Sequence, residues 1–209
     1  MTRGGTSATT ARLLALGDSY TIGEGVAADE RWPERLAFLL GDRGFAVAPP
    51  VIVARTGWTT DELSAGIDAA APLGPFDMVT LLVGVNNQYR GRSPSEYRDQ
   101  FRALLTRAIA FAGARANHVI VLSIPDWSVT PFAGGRDRAR IAAEIDELNA
   151  INRDEAIHAG ARYVDIIATS RRAAREPALL APDGLHPSEA MYREWAGAVF
   201  PEALRILEG

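Results

Sequence analysis

The sequence predicts an α/β fold, a three-layer α/β/α sandwich around a five-stranded parallel sheet. Three observations carry that expectation. Short, wholly apolar runs recur along the chain, longer segments with helical apolar spacing separate them, and no linker divides the 209 residues. At roughly 150 residues per domain, this length suits a single domain. Residues 1–10, rich in Thr and Gly, read as a disordered lead-in, and residues 11–209 as the domain itself.

The predicted strands are Leu13-Leu14-Ala15-Leu16, Val51-Ile52-Val53-Ala54, Met78-Val79-Thr80-Leu81-Leu82-Val83, Val119-Ile120-Val121-Leu122 and Tyr163-Val164-Asp165-Ile166-Ile167. Such continuous runs suit strands covered on both faces. Trp32, Leu36, Leu39 and Leu40 mark the first helix, with Pro33 suited to its first turn. Thr59 and Glu62 form a capping box ahead of Leu63 and Ile67, and Ser93 and Glu96 form another ahead of Tyr97, Phe101, Leu104 and Leu105. Ile141, Ile145 and Leu148 mark a fourth helix ending near Gly160. Met191, Trp195, Ala198 and Val199 mark the last, which Pro201 is expected to kink or end. Right-handed crossovers then give the flavodoxin-like strand order 2-1-3-4-5, and ligands are expected at the carboxyl ends of the strands.

Composition excludes several chemistries. Net charge is −4, without the basic patch of a nucleic-acid binder. There is no Cys, so thiol nucleophiles and zinc–cysteine sites are out. All 22 basic residues are Arg, which removes Schiff-base and phosphate-loop lysines. The 3 histidines are scattered without ligand spacing, and Gly23-Glu24-Gly25 is too short for a dinucleotide loop. No metal or other cofactor is expected. No run approaches the roughly 20 apolar residues of a membrane span. The first ten residues lack the apolar core of a secretory signal, so the expected location is cytoplasmic.

Small or polar clusters follow the predicted strands: Gly17-Asp18-Ser19-Tyr20, Arg55-Thr56-Gly57-Trp58 and Gly84-Val85-Asn86-Asn87, with Asp183-Gly184-Leu185-His186-Pro187 before the last helix. Together they hold what nucleophilic ester cleavage needs: a hydroxyl, an imidazole base, a carboxylate to orient it and donors for an oxyanion. Asp183 lies three residues before His186, so one turn of chain can join them. No Gly-x-Ser-x-Gly elbow is present, which argues against an α/β-hydrolase fold.

These clusters resemble the four blocks of the SGNH/GDSL hydrolases. Tyr20 stands where that family usually has Leu, and Asn87 where it usually has Asp. The resemblance covers about residues 12 to 200 and implies a serine esterase or lipase cleaving short to medium acyl esters. It implies Ser19 as nucleophile, His186 as base, Asp183 as its orienting carboxylate, and an oxyanion hole of the Ser19 N–H, the Gly57 N–H and the Asn86 amide. The segments Arg55–Thr60 and Pro125–Phe132 are also similar to a lysophospholipase-like and arylesterase-like bacterial subgroup.

Other residues take plainer readings. Trp58, Tyr89, Trp127 and Phe132 are candidate pocket walls, and Tyr89, Arg90 and Arg92 candidate contacts to a leaving group or a head group. Asp18 is expected to anchor its turn, His118 and His158 to be structural, and Glu144, Asp146 and Glu147 to form a solvated helix face. Two alternatives stay open beside the ester-hydrolase reading. One is a carbohydrate O-acetyl esterase or thioesterase on the same scaffold, separable by a substrate panel. The other is a binding module without turnover, which would not react with a fluorophosphonate.

Overall fold

Strands β1 (Leu13–Gly17), β2 (Val51–Ala54), β3 (Met78–Leu82), β4 (Val119–Leu122) and β5 (Arg162–Val164) form one sheet in the order β2-β1-β3-β4-β5 in a computed structural model that describes residues 10–209. Every pairing is parallel. The expected lead-in lies almost wholly outside the described residues. Central β1, β3 and β4 are buried along their whole length, as their unbroken apolar runs require.

Among the described residues, eight α-helices connect or flank the strands: α1 (Ser19–Ile22), α2 (Trp32–Asp42), α3 (Thr60–Ala70), α4 (Val85–Tyr89), α5 (Pro94–Phe111), α6 (Arg138–Ala159), α7 (Ile167–Arg171) and α8 (Glu189–Glu208). The first and last long helices, α2 and α8, pack together on one face, while α3, α5 and α6 cover the other. Local signals act where the sequence puts them. The Thr59 N–H donates to Glu62 Oε2 at 2.9 Å at the start of α3, and Ser93 Oγ accepts from the Glu96 N–H at 3.2 Å at the start of α5. Gly160 ends α6 with φ 74.

Three elements differ from expectation. Helix α8 runs through Pro201 to Glu208, held by the buried side chains of Val199, Ala203 and Ile206 on either side of the missing N–H. Strand β5 stops at Val164, because Ser123 Oγ accepts from the Ile166 N–H and Asp165 Oδ1 from the Ile167 N–H, turning the chain into α7. The third polar cluster opens as helix α4, an element that the apolar spacing does not predict. No helix among the described residues is long and apolar enough to cross a membrane.

Candidate active site

At the carboxyl edge of the sheet the connecting segments surround one cavity of about 200 Å³. Ser19 and Tyr20 line it from the end of β1, and Thr56 and Gly57 from the end of β2. Val85, Asn86 and Tyr89 come from α4, Trp127 and Phe132 from the segment after β4, and Leu185 and His186 from the segment before α8. Crossovers alone explain the convergence, since parallel strands deliver all their carboxyl ends to one side.

Ser19 begins α1, and the preceding Asp18 caps it by accepting the Tyr20 N–H on Oδ1 at 3.0 Å. The turn is tight. A Cβ added to Gly17 would sit 2.2 Å from Thr21 Oγ1 and 2.5 Å from the Leu82 carbonyl oxygen. The Asp18 carboxyl is fully buried, and burial pushes its pKa up to about 7 against the pull of the Tyr20 and Gly84 N–H groups. Asp18 thus anchors the turn, as expected from sequence.

The carboxylate of Asp183 divides its two oxygens. Oδ1 accepts the backbone N–H groups of Leu185 and His186, each at 2.9 Å. Oδ2 lies 2.5 Å from His186 Nδ1. Burial raises the Asp183 pKa, but the His186 ring and those N–H donors outweigh it and hold the carboxyl below its ordinary value. An ionised carboxylate only accepts, so Nδ1 carries a proton, and in the neutral ring Nε2 is the acceptor. Gly184, at φ 67, makes the turn between the two residues. The ring of Tyr20 packs 5.8 Å from that of His186 and supports it from below the cavity. Among the described residues, the Ser19 hydroxyl and His186 share the cavity without a direct hydrogen bond, a contact that often tightens only with substrate bound.

The candidate oxyanion donors stand opposite. Gly57 has φ 88, a conformation that favours glycine, and Arg90 holds its carbonyl with an Nη2 donor at 2.6 Å. Arg90 Nη1 also reaches Glu62 Oε1 at 3.0 Å. Asn86 donates one amide hydrogen to the Trp58 carbonyl at 3.0 Å, which fixes the amide and leaves its second hydrogen. Asn87, buried beside it, accepts the Thr60 N–H on Oδ1 at 3.1 Å and donates to Thr60 Oγ1 at 2.7 Å. Thr60 passes its own proton on to Gln100 Oε1. The amide in place of the carboxylate therefore leaves the support of this loop intact.

The aromatic candidates divide. Tyr89, Trp127 and Phe132 line the cavity, with ring centroids 5.7 to 6.3 Å apart. Trp58 does not line it; its ring packs against Gly66 of α3, where no Cβ could fit. Arg92 is likewise turned away, paired with Glu96 at 2.7 Å and Asp61 at 3.4 Å. Glu144 is more than a solvated residue, accepting from Gln88 Nε2 at 2.8 Å and Arg140 Nε at 2.7 Å. Sequence reasoning missed two residues. Gln88 Oε1 holds Trp127 Nε1 at 2.8 Å, and Arg136 sits over the three lining rings. Gln88 sits one residue past the recognised block, and Arg136 follows Gly134-Gly135 in an unpatterned loop. No group of three or more His, Asp or Glu side chains among the described residues is arranged to hold a metal ion.

The fold and the sequence are both similar to those of known proteins. The solved structure of TesA superposes with a TM-score of 0.72 at 21% identity, covering 93% of this chain and 99% of that one. Axe2, an acetylxylan esterase from Geobacillus stearothermophilus, superposes with a TM-score of 0.67 at 19% identity, covering 94% and 96% of the two chains. Those likenesses are of fold. In sequence, the GDSL lipase Rv0518 of Mycobacterium tuberculosis is 30% identical over 196 residues, 90% of this chain and 80% of that protein. Residues 15–194 also match the model of the GDSL-like lipase/acylhydrolase family, and on that match and that relative the chain belongs to this family of ester hydrolases.

Proposed function

We propose that the protein is a cofactor-free serine ester hydrolase acting on short acyl esters through Ser19, His186 and Asp183. The observation that carries this reading is the Asp183–His186 pair at 2.5 Å, opening into the same cavity as Ser19, Gly57 and Asn86. Ser19 Oγ attacks the acyl carbonyl while His186 Nε2 takes its proton. The oxyanion meets the N–H groups of Ser19 and Gly57 and the free amide hydrogen of Asn86. Collapse breaks the ester bond, and His186 returns the proton to the departing alcohol. Water, deprotonated by His186, then attacks the acyl carbonyl, and His186 returns that proton to Ser19 Oγ as the acyl–oxygen bond breaks and the acid leaves. Asp183 stays ionised throughout and steadies the imidazolium, in line with its lowered pKa.

The enclosed part of the cavity, about 200 Å³, suits a short acyl group at its inner end. A second reading, removal of acetyl groups from carbohydrate, draws on the aromatic rings of Tyr89, Trp127 and Phe132, surfaces on which a sugar can stack, and on the fold shared with the acetylxylan esterase. Rates on acetylated xylose against p-nitrophenyl esters of increasing length separate the two. The catalytic assignment is tested by a fluorophosphonate label mapped by peptide mass spectrometry. A single adduct on Ser19, absent from Ser19→Ala, is expected; no adduct, or one on another residue, contradicts it.

A further inference from the structure

The mouth of the cavity carries a charge that the proposed reaction does not use. Tyr89 is 48% and Phe132 42% exposed, so these rings form the outer end of a cavity whose inner end holds the nearly buried Ser19 and His186. The guanidinium of Arg136 lies 5.0 Å from the centroid of Tyr89 and 5.5 Å from those of Trp127 and Phe132. Nη2 donates to the Tyr89 hydroxyl at 3.1 Å. Stacked over three rings, the planar cation is held in place while its edge keeps donors to spare.

Its neighbours are differently engaged. Arg90 is spent on the Gly57 carbonyl and Glu62, and Arg92 on Glu96 and Asp61. Arg138 is spent on the carbonyls of Ser128 and Thr130. Arg136 has no carboxylate within 4.0 Å among the described residues. The acids of the site are occupied too, Asp183 by His186 and Glu24 by the Thr56 hydroxyl. A guanidinium resting on three rings, with no carboxylate partner among the described residues, suits an incoming carboxylate or phosphate, because its planar fork matches theirs.

We infer that Arg136 is a specificity-determining residue that binds an anionic group on the substrate arm running out over Tyr89, Trp127 and Phe132, so that negatively charged esters are preferred over neutral ones of equal size. This deepens the ester-hydrolase reading and rests on it. A charge on the acyl arm is probed with mono-p-nitrophenyl adipate against p-nitrophenyl hexanoate, and one on the alcohol arm with 4-acetoxybenzoate against phenyl acetate.

In at least one pair, the charged-to-neutral ratio of kcat/KM is expected to fall about tenfold in Arg136→Gln, mainly through KM, as for loss of one charge-assisted contact. Arg136→Lys keeps part of the ratio, and added salt lowers it in the wild type. A ratio unchanged in both pairs, or an equal loss on charged and neutral members, overturns the inference and leaves Arg136 as a brace for the rings. Calorimetric binding of 4-hydroxybenzoate against 4-hydroxybenzamide, and of adipate against hexanoate, to Ser19→Ala does not depend on turnover. Preference for the more highly charged ligand that disappears in Ser19→Ala/Arg136→Gln supports the site even if the hydrolase reading fails, and equal binding within both pairs overturns it.

Discussion

Asp183 illustrates how much one side chain can fix. One oxygen ties the backbone of Leu185 and His186, and the other faces Nδ1 of the ring, so position and tautomer of the proposed base come from a single carboxylate. Its replacement by Ala is expected to cost about 10⁴ in kcat, less than loss of the proposed nucleophile or base. Asn86→Ala should cost roughly 10²–10³ in kcat with little change in fold, because it removes one oxyanion donor and one bond to the Trp58 carbonyl. Asp18 makes a different kind of test. Its folded pKa, about 7, lies above the ordinary 3.8, so the folded chain keeps a proton that the unfolded chain gives up between those values. Its contribution to stability is full below 3.8 and lost as pH rises through about 7. Asp18→Asn should flatten that slope, read from urea midpoints at about pH 4 and about pH 8. An unchanged slope would show that another group sets it.

At the scale of elements, the nucleophile turn depends on a residue with no side chain. Gly17→Ala would press a methyl into Thr21 and the Leu82 carbonyl, so β1 or α1 must shift. Overpacking of this kind costs roughly 1–3 kcal/mol, measurable by urea unfolding, and should lower kcat as well by moving Ser19. A variant as stable and as active as the wild type would show that the turn has slack. Strands and long helices were legible because their signals are local: unbroken apolar runs for β1, β3 and β4, and caps at Ser93 and Gly160 for α5 and α6. Short helices were not. Helix α4 has 5 residues and starts from Gly84 at φ 136, too brief for any periodicity, and α7 arises from the side chain of Asp165 and not from pattern. Pro201 does not end α8, because the packing of Val199, Ala203 and Ile206 outweighs one missing hydrogen bond.

Across the whole molecule, strand order followed from alternation and the handedness of crossovers, which are chain-wide rules. The meeting of four distant segments was legible only in outline. Parallel strands send their polar ends to one edge, but nothing in the spacing says that Trp58 turns to α3 while Tyr89, Trp127 and Phe132 turn inward. The α2–α8 layer behind the site is tied to it by aromatic contacts, with Trp195 fully buried 6.0 Å from Tyr20 and Tyr20 5.8 Å from His186. Trp195→Ala should destabilise the chain by about 3–5 kcal/mol in urea, as for a large buried aromatic. The central claim is that these segments act as one catalytic unit. It is tested most directly by the turnover of p-nitrophenyl acetate in Ser19→Ala, His186→Ala and the double variant. Each single change should cost about 10⁶ in kcat and the double no more than either, whereas wild-type turnover by Ser19→Ala would contradict the account.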